Sequence, residues 1–290
     1  MTSLVHVDAD GTPAWAVARG GRLYRLDAAL ADLLALPVEE ARHRCEEAAD
    51  EVVADRVLPP VDRQEVWASG VTYLRSRQGR VEESGHADVY DHVYDAERPE
   101  LFFKSTAERV VTHGQTVGIR ADSDWNVPEA ELGLVLTSGG ELFGYLPGND
   151  MSSRSIEGDN PLYLPQAKVY NSACALGPEI VPVWEAGDGP FEISLCVWRG
   201  DEAVVNSKTS TVQMRRTVPE LAGWLFQALE HPYGAVLLTG TGIVPDRRFT
   251  LMEGDIVTVS IAGIGEISNP VVTVGRVRRA DLTDDAGLMP

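Results

Sequence analysis

At 290 residues and 44% hydrophobic content, the chain is long enough to bury one large core or two smaller ones, as an ordinary globular protein does. Its 44 acidic against 25 basic residues give a formal net charge of -19, which argues against a nucleic-acid backbone or an anionic membrane surface as partner. Cys45, Cys174 and Cys196 are odd in number and widely spaced, and Met1 to Asp10 lacks a basic-then-apolar leader, so the expectation is a soluble cytoplasmic protein with reduced thiols.

In chain order, Ala14 to Val17 is a short strand candidate before turn residues at Gly20 and Gly21. Asp27 is placed to cap a helix with Leu30, Leu33 and Leu34 on one face, ended by Pro37, and a charged helix is expected from Glu39 to Glu51. Residues 1–60 would make a small N-terminal domain without chemistry of its own, and Leu58-Pro59-Pro60-Val61 the connection into a larger domain over 61–290. Val66 to Gly70 follows as a strand, then a segment with Tyr73, Arg75, Arg77 and Arg80, and a helical pattern over Asp88 to Tyr94 that Arg98-Pro99-Glu100 stops. Strands dominate from there, at Leu101–Lys104, Glu108–Val111, Glu129–Leu136, Phe191–Val197, Ala235–Leu238, Asp255–Ile261 and Val271–Val274. One clear helix interrupts them: Thr217 and Glu220 form a capping box ahead of a stripe of Leu221, Trp224, Leu225, Ala228 and Leu229. The fold class is α+β, rich in mixed strands.

The chemistry concentrates around Trp125 to Leu136. Residues i and i+2 of a strand share a face, so Glu129 and Glu131 project side by side while Ala130 and Leu132 face away. An isolated pair of this kind is most often a solvated strand edge. Here the strand is too apolar for an edge, Ser138-Gly139-Gly140 signals a hairpin return, and an antiparallel partner would bring Asp150 near Glu131. Carboxylates held this close repel, and a bound cation is the usual way to keep them ionised. Glu129, Glu131 and Asp150 are therefore expected to form an all-oxygen site for a hard divalent metal, Mg²⁺, with Mn²⁺ or Ca²⁺ as alternatives.

Lys168 stands in an uncharged neighbourhood and gains interest only beside these carboxylates. Ser152-Ser153-Arg154 offers hydroxyls and a guanidinium for a substrate carboxylate, and Thr239-Gly240-Thr241-Gly242 a backbone loop for close approach; each is equally readable as a plain turn. The six histidines, His86 and His92 included, fit no metal spacing. There is no phosphate-binding glycine loop and no Gly-x-Ser-x-Gly elbow, so nucleotide binding and serine hydrolysis have no support.

The ordered set Gly70-x-x-Tyr73, Pro99-x-Leu101-Phe102-x-Lys104, Pro128-Glu129-x-Glu131-Leu132, Gly144-Tyr145, Asn149-Asp150-x-Ser152-x-Arg154, Gly177-Pro178, Thr239-Gly240-Thr241-Gly242 and Gly254-Asp255 resembles the fumarylacetoacetate hydrolase superfamily over residues 66–275. The runs Trp67–Tyr73, Asp91–Glu100, Trp125–Glu129 and Glu157–Lys168 are most similar to its branch of 2-keto-3-deoxy sugar-acid dehydratases. The resemblance implies a mixed β-roll behind a small N-terminal α+β domain, assembled as a dimer or tetramer. It implies a Mg²⁺-dependent lyase of pentose catabolism that takes a small 2-keto acid, 2-keto-3-deoxy-pentonate, to 2-oxoglutarate semialdehyde through a metal-stabilised enolate. Lys168 and Glu100 would be its catalytic acid/base groups, with Arg75, Ser153, Arg154 and Thr241 toward the substrate.

One departure separates branches. Hydrolases and decarboxylases of the superfamily carry a histidine three residues after the tyrosine of the Gly-x-x-Tyr motif, and here Ser76 stands there. Losing a general base costs about 10²–10⁴-fold in rate, which favours elimination over water attack. Glu82 or Glu83 could substitute, so acylpyruvate hydrolysis and oxaloacetate decarboxylation stay open, as does a non-catalytic module that kept the carboxylates.

Overall fold

The computed structural model describes residues 1–76 and 93–275. Arg77, Arg80, Glu82, Glu83, His86, His92 and most of the helix expected over Asp88–Tyr94 lie outside the described residues.

The architecture is two large sheets packed together, with a third of only two short strands, Asn126–Val127 and Ser152–Ser153. One runs, in spatial order, Glu51–Val52, Arg22–Leu26, Thr12–Arg19, Ser3–Ala9, Glu179–Pro182, Leu142–Asp150, Ala130–Leu136, Ala235–Leu238, Glu65–Gly70 and Glu100–Ser105. The other has five strands, Glu202–Ser210, Glu192–Arg199, Ile256–Ile261, Gly265–Val274 and Val117–Arg120. Both contain parallel and antiparallel pairs, as a mixed roll requires.

Ala130–Leu136 is the centre of the large sheet because every one of its residues is buried. Leu132, Leu134 and Leu136 meet Ile193, Leu195, Val257 and Ile267 of the five-stranded sheet, while Val135 meets Leu146, Val236, Leu4 and Leu33 on the opposite face. A strand apolar on both faces needs cover on both, which explains why alternation is weak in it. The N-terminal unit supplies part of that cover. Ser3–Ala9 pairs with Glu179–Pro182, and Leu4, Trp15, Leu30 and Leu33 share a core with Val135 and Phe143.

Several local expectations change. The helix Leu30–Leu34 starts at Ala29, and its first N–H groups are capped from 32 residues away: Asp62 accepts from Leu30 at 2.8 Å, so Asp27 is not the cap. Pro37 opens the next helix, Val38–Glu47, which stops short of Glu51 because Glu51–Val52 pairs as a strand. The capping box at Thr217 and Glu220 forms, but the helix ends at Leu225 and leaves Leu229 exposed. Glu108 lies in a turn of 3-10 helix, Ala107–Arg109, ahead of the two-residue strand Val110–Val111.

Candidate metal centre and active site

Ala130–Leu136 and Leu142–Asp150 pair antiparallel with Ala130 opposite Asn149 and Glu131 opposite Gly148. One step further, the Asp150 N–H donates to the Glu129 carbonyl at 3.0 Å, and the Glu129 N–H to the Asn149 side chain at 3.2 Å. This register brings one carboxylate oxygen each of Glu129, Glu131 and Asp150 within 4.8 Å of one another, all three residues at most 4% exposed. Glu131 Oε2 accepts from the Gly240 N–H at 2.7 Å, and its Oε1 has no hydrogen-bond partner among the described residues. Burial first, then Asp150 and Glu129, hold the Glu131 carboxyl well above the ordinary range against the opposing pull of Lys168 and the Gly240 N–H. An orphaned oxygen in a buried carboxylate triad is the donor set a hard divalent cation satisfies, so these residues fit Mg²⁺.

Gly240 has to be a glycine. Its φ is +86°, and a Cβ there would stand 2.1 Å from Thr72 Oγ1 and 3.0 Å from the Ser69 carbonyl.

Lys168 ends the short helix Leu164–Lys168 and turns fully inward. Its Nζ donates to Glu129 Oε2 at 2.7 Å, Asp150 Oδ2 at 2.9 Å and Ser152 Oγ at 2.6 Å, and lies 5.4 Å from the centre of the Phe102 ring. Glu100 comes from the neighbouring sheet edge, where it pairs with Gly70. A Cβ on Gly70 would fall 1.9 Å from Glu100 Oε2, so the carboxylate lies across a bare Cα. The next residue, Val71, is a β-branched side chain at φ +53°, a strained backbone at the wall of the cavity. Glu100 and Lys168 line this cavity together with Ser76, Arg154, Gly240 and Thr241. Ser76 is buried, its hydroxyl donating to the Tyr73 carbonyl at 2.8 Å.

The remaining sequence candidates divide. Arg154 reaches the cavity, with its guanidinium on Glu129 Oε1 at 2.6 Å and beside Glu157. Thr241 also lines it, its hydroxyl bridging to the backbone of Ile243. Ser153 is buried but points away, donating to Ser123 Oγ at 2.8 Å; neighbours in a strand face opposite ways, and Ser152 is the one that meets Lys168. Arg75 is exposed and is not among the cavity's lining residues. Lys104 and Ser152 carry contacts that sequence reasoning did not assign. Lys104 lies on the strand that carries Glu100, at the irregularity where Val66 pairs with Ser105 and Trp67 with Phe103.

Residues 65–272 match the family model described as fumarylacetoacetate (FAA) hydrolase, C-terminal. The chain belongs to that family. Among its relatives, it is 49% identical over 227 residues to a probable 2-keto-3-deoxyxylonate dehydratase of Haloferax volcanii, covering 78% of each chain. It is 41% identical over 222 residues to the 2-dehydro-3-deoxy-D-arabinonate dehydratase of Saccharolobus solfataricus, covering 74% of each. A solved structure of 2-keto-3-deoxy-D-arabinonate dehydratase complexed with magnesium and 2,5-dioxopentanoate superimposes with a TM-score of 0.83 at 33% identity, over 95% of this chain and 100% of that one. The roll expected of a family member is thus the observed fold. Among the described residues no helix is long and apolar enough to cross a membrane.

Proposed function

We propose that this member of the fumarylacetoacetate hydrolase family is a Mg²⁺-dependent dehydratase that converts a 2-keto-3-deoxypentonate to 2,5-dioxopentanoate, the semialdehyde of 2-oxoglutarate. The observation that carries the reading is Lys168, a buried amine bonded to Glu129 and Asp150, in a cavity that also holds Glu100 and has serine at position 76. Two relatives named as dehydratases of such acids, and a neighbour solved with magnesium and 2,5-dioxopentanoate, support the substrate class and the metal.

Glu129, Glu131 and Asp150 would hold the cation. A divalent cation bound there supplies positive charge that makes a proton beside a keto group easier to remove. In this reading Lys168 acts as the neutral amine: it releases to solvent the proton it holds against Glu129 and Asp150 and then takes one from C3 of the substrate. Glu100, which lines the same cavity, gives a proton to the C4 hydroxyl, which leaves as water. Moving a proton from C5 back to C3 and tautomerising the resulting enol gives the aldehyde, so the net change is loss of one water. Arg154 and Thr241 are the side chains proposed to orient the substrate. Ser76 has no group able to activate a hydrolytic water at neutral pH, which supports elimination over hydrolysis.

The test is to supply purified protein and Mg²⁺ with racemic 2-keto-3-deoxypentonate and assay for 2,5-dioxopentanoate, with acylpyruvates and oxaloacetate in parallel. Turnover of the sugar acid alone is expected. Turnover of an acylpyruvate or oxaloacetate without the sugar acid would overturn the reading.

A further inference from the structure

Lys104 carries none of the roles above, yet it is among the most deeply buried side chains of the molecule, 1% exposed. A buried ammonium is costly unless each of its three donors finds an acceptor. Lys104 forms an ion pair with Asp150 Oδ1 and donates to the Met151 carbonyl at 2.9 Å and the Lys168 carbonyl at 2.6 Å. The paired carboxylate and both carbonyl acceptors belong to the two segments that build the site, and none to the strand Lys104 sits on.

The geometry is that of a tie-bar. Lys168 is the last residue of a five-residue helix, too short to hold its own position, and its carbonyl is one of the helix-end acceptors that need a partner from elsewhere. Lys104 supplies that partner and, from the same nitrogen, grips the carboxylate whose other oxygen receives the Lys168 ammonium. We infer that Lys104 is a positioning residue: its ammonium fixes the Asp150 carboxylate and the backbone of Lys168 relative to each other, and so sets both the cation site and the reach of the Lys168 amine. Glu100, Phe102 and Lys104 then make the Glu100–Ser105 strand the element that aligns the whole site.

The test compares wild-type protein with Lys104→Met, which keeps length and volume and removes the charge. Mg²⁺ alone is titrated by calorimetry. If Lys104 only neutralised Asp150, its loss would leave a more negative cluster and tighten Mg²⁺ binding. Positioning predicts the opposite sign, an affinity weakened by about 10–100-fold, the usual effect of removing a group that orients a metal-ligating carboxylate. With substrate, kcat falls by about 10²-fold while KM changes little, as misplacement of a reacting group costs. Unchanged or tighter Mg²⁺ binding in folded Lys104→Met overturns the inference. If that variant does not fold, Lys104→Gln, which can still donate to a carbonyl, takes its place in the same titration; failure of both to fold would make Lys104 a purely structural residue and overturn the inference as well. The kinetic arm rests on the dehydratase reading, whereas the titration needs no substrate, so the two fail separately.

Discussion

Lys168 is a cation in the interior whose presence has to be explained by what surrounds it, and Glu129, Asp150 and Ser152 each accept from it. Removing one partner of a buried ion pair costs about 3–5 kcal/mol because the other charge is stranded. Lys168→Ala is therefore expected to lower the melting temperature without metal, to regain more of it than wild type does when Mg²⁺ is added, and to lose turnover by about 10²–10⁴-fold. Melting curves with and without Mg²⁺, beside steady-state rates, check this; a fully active variant would remove Lys168 from the mechanism. Glu131 makes a second prediction at the same scale. Its folded-state pKa is raised, so its contribution to stability is fully present below the ordinary carboxylate value of about 4.3 and is lost as pH rises through the raised value. A cation bound by the ionised triad offsets that loss and releases a proton on binding. The rise in melting temperature on adding Mg²⁺ should grow with pH above that point, and an increment independent of pH would contradict the assignment. Gly70→Ala tests the placement of Glu100: a methyl group there collides with the carboxylate, so kcat should fall while the melting temperature stays within a few degrees.

Elements differ in how much of them the sequence reveals. The Ala130–Leu136 and Leu142–Asp150 hairpin was legible because a Ser-Gly-Gly turn, two apolar runs and three acids all agree on one register, and the site's carboxylates came with it. Glu179–Pro182 was missed because it is short and its partner Ser3–Ala9 lies more than 170 residues away; Ser3–Ala9 was missed as well, although it also pairs with the neighbouring strand Thr12–Arg19. Position by position, the failures share one cause. Ser153, expected toward the substrate, donates instead to Ser123, since a one-residue step in an extended segment reverses the facing; Lys104 needed its strand's partners before its burial meant anything; Asp27 looked like a local cap where Asp62 serves from a distance. That last contact is itself testable. Asp62→Ala removes the acceptor for the Leu30 and Ala31 N–H groups and should cost about 0.5–2 kcal/mol of stability, with kcat unchanged because the helix lies away from the cavity. A loss of turnover without a loss of stability would show that the N-terminal helix does more than pack.

For the molecule as a whole, the net charge of -19 acts against compactness at every pH where the carboxylates are ionised. Most of that charge is on the surface, since the site's buried acids face Lys104, Arg154 and Lys168. Screening shortens from about 8 Å at physiological ionic strength to about 3 Å at 1 M. The melting temperature should accordingly rise as NaCl is increased across this range, and a fall would mean that surface ion pairs such as Arg56 with Asp8 outweigh the repulsion.

The pairing of Ser3–Ala9 with Glu179–Pro182 has one more consequence. The family match begins at residue 65, but the large sheet does not end there. A chain started at Glu65 would leave Glu179–Pro182 as an open edge, with the apolar cluster of Ile180, Phe143 and Leu146 stripped of Leu4, Trp15, Leu30 and Leu33. Such an edge is a template for pairing with another copy, so the shortened protein should self-associate and precipitate rather than persist as a smaller enzyme. That outcome would make covering the edge of the large sheet the task of the residues ahead of Glu65.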